Sequence, residues 1–274
     1  MRAVKIDIHT HTRKCKSGDA QTRETSPENF CDAILSTEVR VVAITNHNVF
    51  DLSQFQAIQA RIGADAQVWP GVELDVYDDL GKGHLLVIAS PKLATKFSAA
   101  VTALTGAHTP DSFKVTIPDV LATFDAMEPL YVAHYKQKRP SVSDDMLAVL
   151  EGGAQNKWSI LKEVSNAISA GIHISHGRSS IYGSDVHDWG KYVEGAHELP
   201  DLRLPIDSFE HFCLLLKKDP TTINTVMDRK TSEELTLVPF EDGKELTVRV
   251  FNDINIIFGP KGTGKSRILE AIAK

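Results

Sequence analysis

The chain has 274 residues, of which 42% are hydrophobic and 24% are charged, and its formal net charge is −6. This composition is typical of a globular chain with a large core, forming either one α/β barrel or two smaller domains. The negative charge excludes a basic field over the whole surface and leaves room only for a local basic patch. With three widely spaced cysteines, no apolar leader and no run of 18 apolar residues, we expect a reduced, cytoplasmic protein without a membrane span.

Apolar segments and helical patterns alternate along the first 218 residues. Ser26 is the predicted N-cap of the first helix, Asp51 caps the second, and Gly63 should end the second. Strands are predicted at residues 3–9, 40–45, 66–76, 84–90, 129–134, 159–165 and 179–185. Helices are predicted at residues 26–38, 51–63, 91–106, 117–127, 143–153 and 208–218. This alternation predicts a mostly parallel sheet, either open or closed into a barrel.

The pattern changes near residue 219. Residues 219–234 are polar without a clear period and are interpreted as a linker. Two short apolar segments on either side of the turn EDGK then predict a hairpin. Residues 254–258 predict one more strand, and a helix should close the chain. We therefore expect one domain over 1–218 and the beginning of a second over 235–274.

Candidate metal ligands fall at or just after the predicted strands. They are His9, His11, His47, Glu73, His84, His134, Asp185 and His187. Because parallel α/β folds gather active sites at the carboxyl ends of their strands, we expect this set to meet, although His84 begins its strand. Imidazole and carboxylate ligands suit Zn, Mn or Fe, and a carboxylate such as Glu73 could bridge two cations.

The motifs around these ligands resemble the PHP (polymerase and histidinol phosphatase) family of metal-dependent phosphoesterases. They are DIHTHT, TNH, the glutamate of PGVE, the histidine before LLVIAS, AH at 133–134, and SDVH, in family order over residues 5–215. The resemblance implies a distorted seven-stranded (β/α)7 barrel with two or three divalent metal ions.

When the metal ligands of the family are assigned to the matching positions of this sequence, the resemblance implies three metal sites. The first is held by His9, His11, Glu73 and Asp185. The second is held by Glu73, His84 and His134. The third is held by His47 and His187 with help from Asp19, for which Cys15 is a rival. The implied catalytic set is His9, His11, Glu73, Asp185 and His187, with His187 managing the proton of the leaving group.

Two positions depart from the family pattern. Asn46 stands in TNH where the family usually has aspartate, which removes a charge beside His47 and weakens the predicted third site. Tyr135 follows His134 where proline is usual. The basic residues Lys136, Lys138 and Arg139 come next and could bind the phosphates of a substrate.

A second motif, GPKGTGKS at 259–266, has the spacing of a P-loop. Gly259 and Gly264 would shape the phosphate-binding loop, Lys265 would reach the β- and γ-phosphates, and Ser266 would bind Mg²⁺. The region resembles the start of an ABC/SMC-like ATPase, as in TrlF-like PHP–ATPase proteins. Eight residues follow Ser266, too few for a Walker B carboxylate, so we expect a fragment of a longer protein that binds ATP and Mg²⁺ only in its full-length form.

The sequence favours a phosphoesterase acting on nucleic acid or nucleotides, coupled in the parent to an ATPase and, by the resemblance, to nucleic-acid processing or phage defence. Expected partners are the substrate and the ATPase remainder, through which a homodimer could form. Two alternatives stay open within the family: a non-catalytic metal-binding module with a structural role, and a small-molecule phosphatase of the histidinol-phosphatase type. An amidohydrolase fits less well, because it would need a bridging lysine or a second His-x-His pair.

Overall fold

The computed structural model describes residues 4–202, 206–219, 223–224, 232–251 and 255–273. The chain divides into two compact units, Met1–Met227 and Asp228–Lys274. The border lies inside the segment 219–234 that the sequence predicts to be a linker, most of which falls outside the described residues.

The first unit is built on one mixed sheet. Its strands are β1 Val4–Thr10, β2 Val39–Ile44, β3 Gln67–Asp78, β4 Gly81–Ile88, β5 Leu130–His134, β6 Ile160–Glu163, β7 Ser180–Ile181, β8 Asp201–Leu202 and β9 Ile223–Asn224. They lie in the order β7-β6-β5-β4-β3-β2-β1-β8-β9. The pairs β1–β2, β2–β3, β5–β6 and β6–β7 are parallel, whereas β4 is antiparallel to both of its neighbours.

The sheet curls, because the chain segment after the edge strand β7 hydrogen-bonds to β1, which lies far from β7 in the strand order. The Asp185 backbone N–H donates to the His9 carbonyl oxygen at 2.9 Å, and the Ser184 N–H donates to Asp7 Oδ1 at 3.0 Å. The result is a curled half-barrel of the kind found in distorted (β/α) barrels.

Eight helices of the first unit connect or cover the strands. They are α1 Pro27–Leu35, α2 Leu52–Ile62, α3 Ala94–Thr105, α4 Ile117–Phe124, α5 Asp144–Gly153, α6 Ala167–Ser175, α7 Tyr192–Gly195 and α8 Phe209–Lys218. Ser26 and Asp51 cap α1 and α2 as predicted, accepting from the N–H groups of Asn29 and Gln54. None of the helices in the described ranges is both long and apolar enough to cross a membrane.

α6 is not among the helices that the sequence predicts. Its buried face consists of Ala170, Gly171 and Ile174, whereas Ile168 and Ile172 are exposed on the opposite side. Because apolar residues lie on both faces, the 3.6-residue period of an amphipathic helix is hidden.

The hydrophobic core forms two layers, one on each face of the sheet. The helix-covered layer contains Phe30, Phe55, Phe97 and Phe124, among other residues. The opposite layer packs strand side chains such as Ile6 against Phe209 and Phe212 of α8. α8 therefore fills one end of the curled sheet.

The second unit contains a hairpin and a helix. β10 Ser232–Leu237 pairs antiparallel with β11 Leu246–Phe251, as predicted, and α9 Lys265–Ile272 follows. The predicted strand at 254–258 is wrong for residues 255–258, which have no regular structure. Ile256 and Phe258 are 74% and 80% exposed there. A strand needs a neighbouring strand for its backbone hydrogen bonds, and the sheets of the described residues do not include this segment.

Closure of the curled sheet requires a glycine at position 183. A Cβ there would lie 2.6 Å from His9 Cβ and 3.0 Å from the His9 backbone nitrogen. We predict that Gly183→Ala lowers the free energy of unfolding by about 1–3 kcal/mol, because neither backbone segment has room to move. Urea denaturation should measure this loss.

The matched control is Gly152→Ala in α5, where a Cβ would meet no atom within 4 Å. This substitution should be neutral or should stabilise the protein by up to about 1 kcal/mol, because alanine favours a helix. Equal stability of the two variants would show that the contact between residue 183 and β1 is not tight.

Candidate metal centre

The alternation of side chains along the strands places the candidate ligands on one face. Glu73, His84, His134 and Glu163 share the face that carries Trp69, Leu86, Val132 and Leu161 in the inner core layer. α8 covers this layer at one end, and the polar side chains occupy the other. His84 begins its strand, whereas the other ligands end theirs. It still reaches the centre because β4 runs antiparallel to β3, which places His84 opposite Asp75, near the end of β3.

Four ligand atoms form a compact first set around one oxygen of Glu73. Glu73 Oε2 lies 3.2 Å from His9 Nε2 and 3.3 Å from His11 Nε2. Asp185 Oδ1 lies 3.6 Å and 3.3 Å from the same two nitrogens. Ligands about 2.0–2.2 Å from a tetrahedral metal ion lie roughly 3.4 Å from each other. The separations of this first set therefore fit one divalent cation.

A second set faces the other oxygen of Glu73. His84 Nδ1 is in contact with Glu73 Oε1, and His134 Nε2 lies 3.4 Å from the same oxygen. His47 Nε2, by contrast, lies on the side of the first set, 3.0 Å from Glu73 Oε2. His47, Glu73 and His84 form one of three groups of described residues whose ligand atoms all lie within 4.8 Å of one another. Glu73 thus presents one oxygen to each of two groups of imidazoles, which is the arrangement of a bridging carboxylate.

Glu163 is a member of the centre that the sequence analysis did not identify. It is fully buried at the end of β6. His9 Nδ1 lies 2.9 Å from Glu163 Oε1, and His134 Nε2 lies 3.0 Å from Oε2. A carboxylate on the outer nitrogen of a histidine fixes the tautomer and turns the other nitrogen to a metal. Glu163 can do this for His9, or can itself join a group with His9 and His134.

Two cationic side chains also enter the centre. Lys138 Nζ lies 2.9 Å from Asp185 Oδ2 and 3.4 Å from Glu163 Oε1. Arg23 is only 3% exposed and contacts Asp185 at 2.9 Å. Lys138 is therefore not free to bind a substrate, unlike its exposed neighbour Lys136. The sequence gives no signal for Arg23, because it lies in a polar loop on a single short turn.

The residues predicted for a third cation are arranged differently from the first two sets. Asp19 Oδ1 lies 2.9 Å from His47 Nδ1, but His187 is 67% exposed and lies 4.0 Å from Asp185. The three compact ligand groups of described residues leave out Asp19 and His187, and also Asp185, which nevertheless lies 3.3 Å from His11 Nε2. Cys15 is linked to Asp19 only through its backbone N–H.

Asn46 has a structural role next to this region. Its Oδ1 accepts from the N–H groups of Thr12 and Arg13, and its Nδ2 donates to Thr12 Oγ1 at 3.1 Å. An aspartate could accept the first two bonds but could not donate the third. Asn46 therefore fixes the loop that follows His11.

The carboxylates control the charge of the imidazoles. Burial opposes protonation of His9, but Glu163, Asp185 and Glu73 outweigh it and raise the pKa of His9 to about 10. Burial likewise opposes protonation of His84, while hydrogen bonds to Asp75 and Glu73 raise its pKa to about 9. The protein without metal thus holds these two rings protonated at neutral pH.

Two further histidines of the centre, His11 and His134, remain neutral. Burial lowers the pKa of His11 and of His134 in spite of the nearby carboxylates. His134 Nε2 is buried and lies 3.0 Å from Glu163 Oε2 without a hydrogen bond of good geometry. Buried polar atoms are costly unless they are well paired, so His134 Nε2 fits the role of a metal ligand.

A cavity of about 260 Å³ gives access to the centre. Its lining includes Gly18, Arg139 and His187 in addition to Glu73, Asp185, His84 and His134 of the two sets. The cavity is strongly polar and is large enough for a phosphoryl group.

Neither a protein-family model nor a curated protein sequence matches this chain. Solved structures do share its fold. Endonuclease Q, in complex with a 27-mer duplex that has an abasic lesion at the active site, matches with a TM-score of 0.54 and 11% identity. The match covers 79% of this chain and 57% of that one, so the chain spans little more than half the length of endonuclease Q.

Two further structures match with similar scores. A two-domain protein from Bacteroides vulgatus containing a predicted PHP-like metal-dependent phosphoesterase has a TM-score of 0.51 and 13% identity, over 93% of this chain and 88% of that one. An amidohydrolase from Chromobacterium violaceum with bound sulfate has a TM-score of 0.50 and 12% identity, over 81% and 98%. The chain therefore has a fold that PHP-like metal-dependent phosphoesterases share with other hydrolases.

We predict that metal binding at this centre releases protons. Histidine binds a metal only through an unprotonated nitrogen, so His9 and His84, protonated below about pH 9, must each lose a proton. The association constant for Zn²⁺ should rise by about tenfold per pH unit for each proton released. Calorimetry at pH 6, 7 and 8 in buffers of different ionisation enthalpy measures both quantities.

The variant His84→Gln should release one proton fewer than the parent, whereas His197→Gln, which alters an exposed ring outside the centre, should change nothing. Zinc affinity that is constant from pH 6 to 8, with no buffer-dependent heat, would contradict the assignment of these rings as protonated ligands.

Proposed function

We propose that the chain is a metal-dependent phosphoesterase whose substrate is nucleic acid or a nucleotide. One observation carries the proposal: the buried carboxylate of Glu73 presents one oxygen to His9 and His11 and the other to His84 and His134. A bridging carboxylate of this kind suits a pair of divalent cations about 3.5–4 Å apart. The fold shared with PHP-like phosphoesterases supports the same function.

The side chains of the centre have distinct roles in this proposal. The first set of four residues and the second set around His84 would hold the cations, which would be Zn, Mn or Fe. Such cations lower the pKa of a bound water and neutralise phosphoryl oxygens. Lys138 balances the charge of Asp185 and Glu163, and Glu163 orients His9.

His187 is the residue to which we assign proton transfer. It lines the cavity and is more exposed than the ligand histidines. Burial and the charge of Arg23 lower the pKa of His187. The ring is thus neutral at pH 7, and it can take up a proton during the reaction and return it to the leaving group.

A nucleic-acid or nucleotide substrate is favoured over a small phosphate ester by two observations. Endonuclease Q, which shares the fold, is described in complex with a DNA duplex. In this chain Arg139 lines the cavity and Lys136 is exposed beside it, so both can contact a phosphate backbone. Preferred hydrolysis of histidinol phosphate would favour the small-molecule alternative.

We predict that Glu73→Gln and Asp185→Asn each lower phosphoesterase activity by about a hundredfold or more, because each removes a charged ligand. The assay uses the Mn²⁺-loaded protein with single-stranded and duplex DNA, RNA, nucleotides and histidinol phosphate. The control Glu194→Gln, an exposed change on α7, should keep parental turnover. Turnover unchanged in Glu73→Gln, or absent from the parent on every substrate, would favour a non-catalytic metal-binding module.

A phosphate-binding loop in the second unit is a separate candidate function. Gly262 and Gly264 have φ angles of 90° and 81°, which favour glycine. Lys265 begins α9, and its Nζ donates to the carbonyl oxygens of Gly259 and Pro260 at 2.7 and 2.8 Å. This glycine-rich loop before a helix supports binding of ATP phosphates by Gly259, Gly264, Lys265 and Ser266. Coupling to an ATPase, a homodimer formed through it and a role in phage defence remain predictions.

We predict that any phosphate released from ATP by this chain comes from the metal centre. ATP hydrolysis at a P-loop also needs a Walker B carboxylate from a neighbouring strand, and among the described residues the segment 255–258 before the loop belongs to no sheet. Phosphate release should therefore be lost in His9→Ala and unchanged in Lys265→Ala. The opposite pattern would show that the P-loop hydrolyses ATP by itself.

A further inference from the structure

The guanidinium group of Arg23 lies among the side chains that the family pattern assigns to a third metal ion. One of its terminal nitrogens contacts Asp19 Oδ1 at 3.3 Å and His47 Nδ1 at 3.2 Å. The other donates to Asp185 Oδ1 at 2.9 Å and lies 3.2 Å from His187 Nε2. Arg23 is 3% exposed, so this is a buried ion cluster and not a surface contact.

We propose that Arg23 takes the place of the third metal ion, so that the centre holds two divalent cations and one fixed guanidinium charge. The inference rests on the proposed function, because it presumes that the first and second ligand sets bind metal. It departs from the three-metal arrangement that the resemblance implies.

The ligand geometry supports a guanidinium in preference to a metal at this position. Asp19 Oδ1 and His47 Nδ1 are 2.9 Å apart, and the guanidinium nitrogen lies just over 3 Å from both. On the side that faces Asp185 and His187, a cation at about 2.0–2.2 Å from both atoms would overlap that nitrogen. A third cation shared with Asp185 or His187 can therefore bind only if the Arg23 side chain moves away.

The ring of His47 is already in contact with Glu73 through one nitrogen. Its Nε2 faces Glu73 Oε2 at 3.0 Å, and only Nδ1 faces Asp19 and Arg23. One imidazole normally gives one nitrogen to one metal. With Nε2 used at Glu73, Nδ1 carries the proton and donates to Asp19 Oδ1, which also accepts from the Arg23 guanidinium.

Charge balance favours the same arrangement. The Arg23 guanidinium lies 3.3 Å from Asp19 Oδ1 and 2.9 Å from Asp185 Oδ1, so it pairs with both carboxylates. Arginine stays protonated at every pH at which the protein is folded. Arg23 thus supplies a permanent positive charge at the cavity wall, where it can face the phosphoryl oxygens of a substrate.

Metal stoichiometry tests the proposal without relying on activity. The protein is stripped with chelator, reconstituted with Mn²⁺, freed of excess metal and analysed by elemental mass spectrometry. We expect two Mn²⁺ per chain in the parent and three in Arg23→Ala, because the substitution empties the position that the guanidinium occupies between Asp19, Asp185 and His187. Arg23→Lys, which keeps a positive charge there, should retain two.

A double variant identifies where the additional ion binds. Arg23→Ala combined with Asp19→Asn should return to two Mn²⁺ per chain, whereas Asp19→Asn alone should leave the parental count unchanged. Arg23→Gln provides a second neutral variant of closer size if the alanine variant does not fold, as judged by circular dichroism.

The outcomes separate this proposal from the proposed function. Three Mn²⁺ in the parent, or two in both neutral Arg23 variants, would overturn the role of Arg23 and leave the phosphoesterase proposal standing. No bound metal in the parent would contradict the phosphoesterase proposal and this inference together.

Discussion

The structure of the centre depends on one buried carboxylate, Glu73, held between two groups of imidazoles. Burial alone would raise the pKa of Glu73, but the charge of His9 and hydrogen bonds from surrounding histidines hold it well below its usual value. An ionised carboxylate in the interior is stable only with such partners. The protonated histidines around Glu73 are therefore stabilised by its negative charge, and Glu73 stays ionised because of its histidine neighbours.

The fold brings these partners together by two departures from a regular parallel barrel. The antiparallel strand β4 carries His84 back toward the end of β3, next to Glu73. The chain after β7 closes against β1 through Gly183, which sets Asp185 beside His9 and His11. Ligands from distant parts of the sequence thus meet at one end of the inner core, while α8 fills the other end.

Much of this arrangement could be predicted from the sequence, because strand-end residues such as His134 and Asp185 must meet when strands are parallel. Glu163 also lies at the end of a parallel strand. It was not predicted, because an acidic residue next to Lys162 in a short strand is typical of a half-exposed surface ion pair. Arg23 could not be predicted, since it lies on a short turn in a polar loop and is not at the end of a strand. The strand expected at 254–258 did not form over residues 255–258, because an apolar run also needs a neighbouring strand.

The central claim is that Glu73 bridges two divalent cations. Anomalous diffraction from crystals of the Mn²⁺-loaded protein, recorded near the manganese absorption edge, tests it most directly. The account predicts two peaks about 3.5–4 Å apart, one near His9 and His11 and the other near His84, with one oxygen of Glu73 facing each. A single peak, or two peaks that do not flank Glu73, would contradict it.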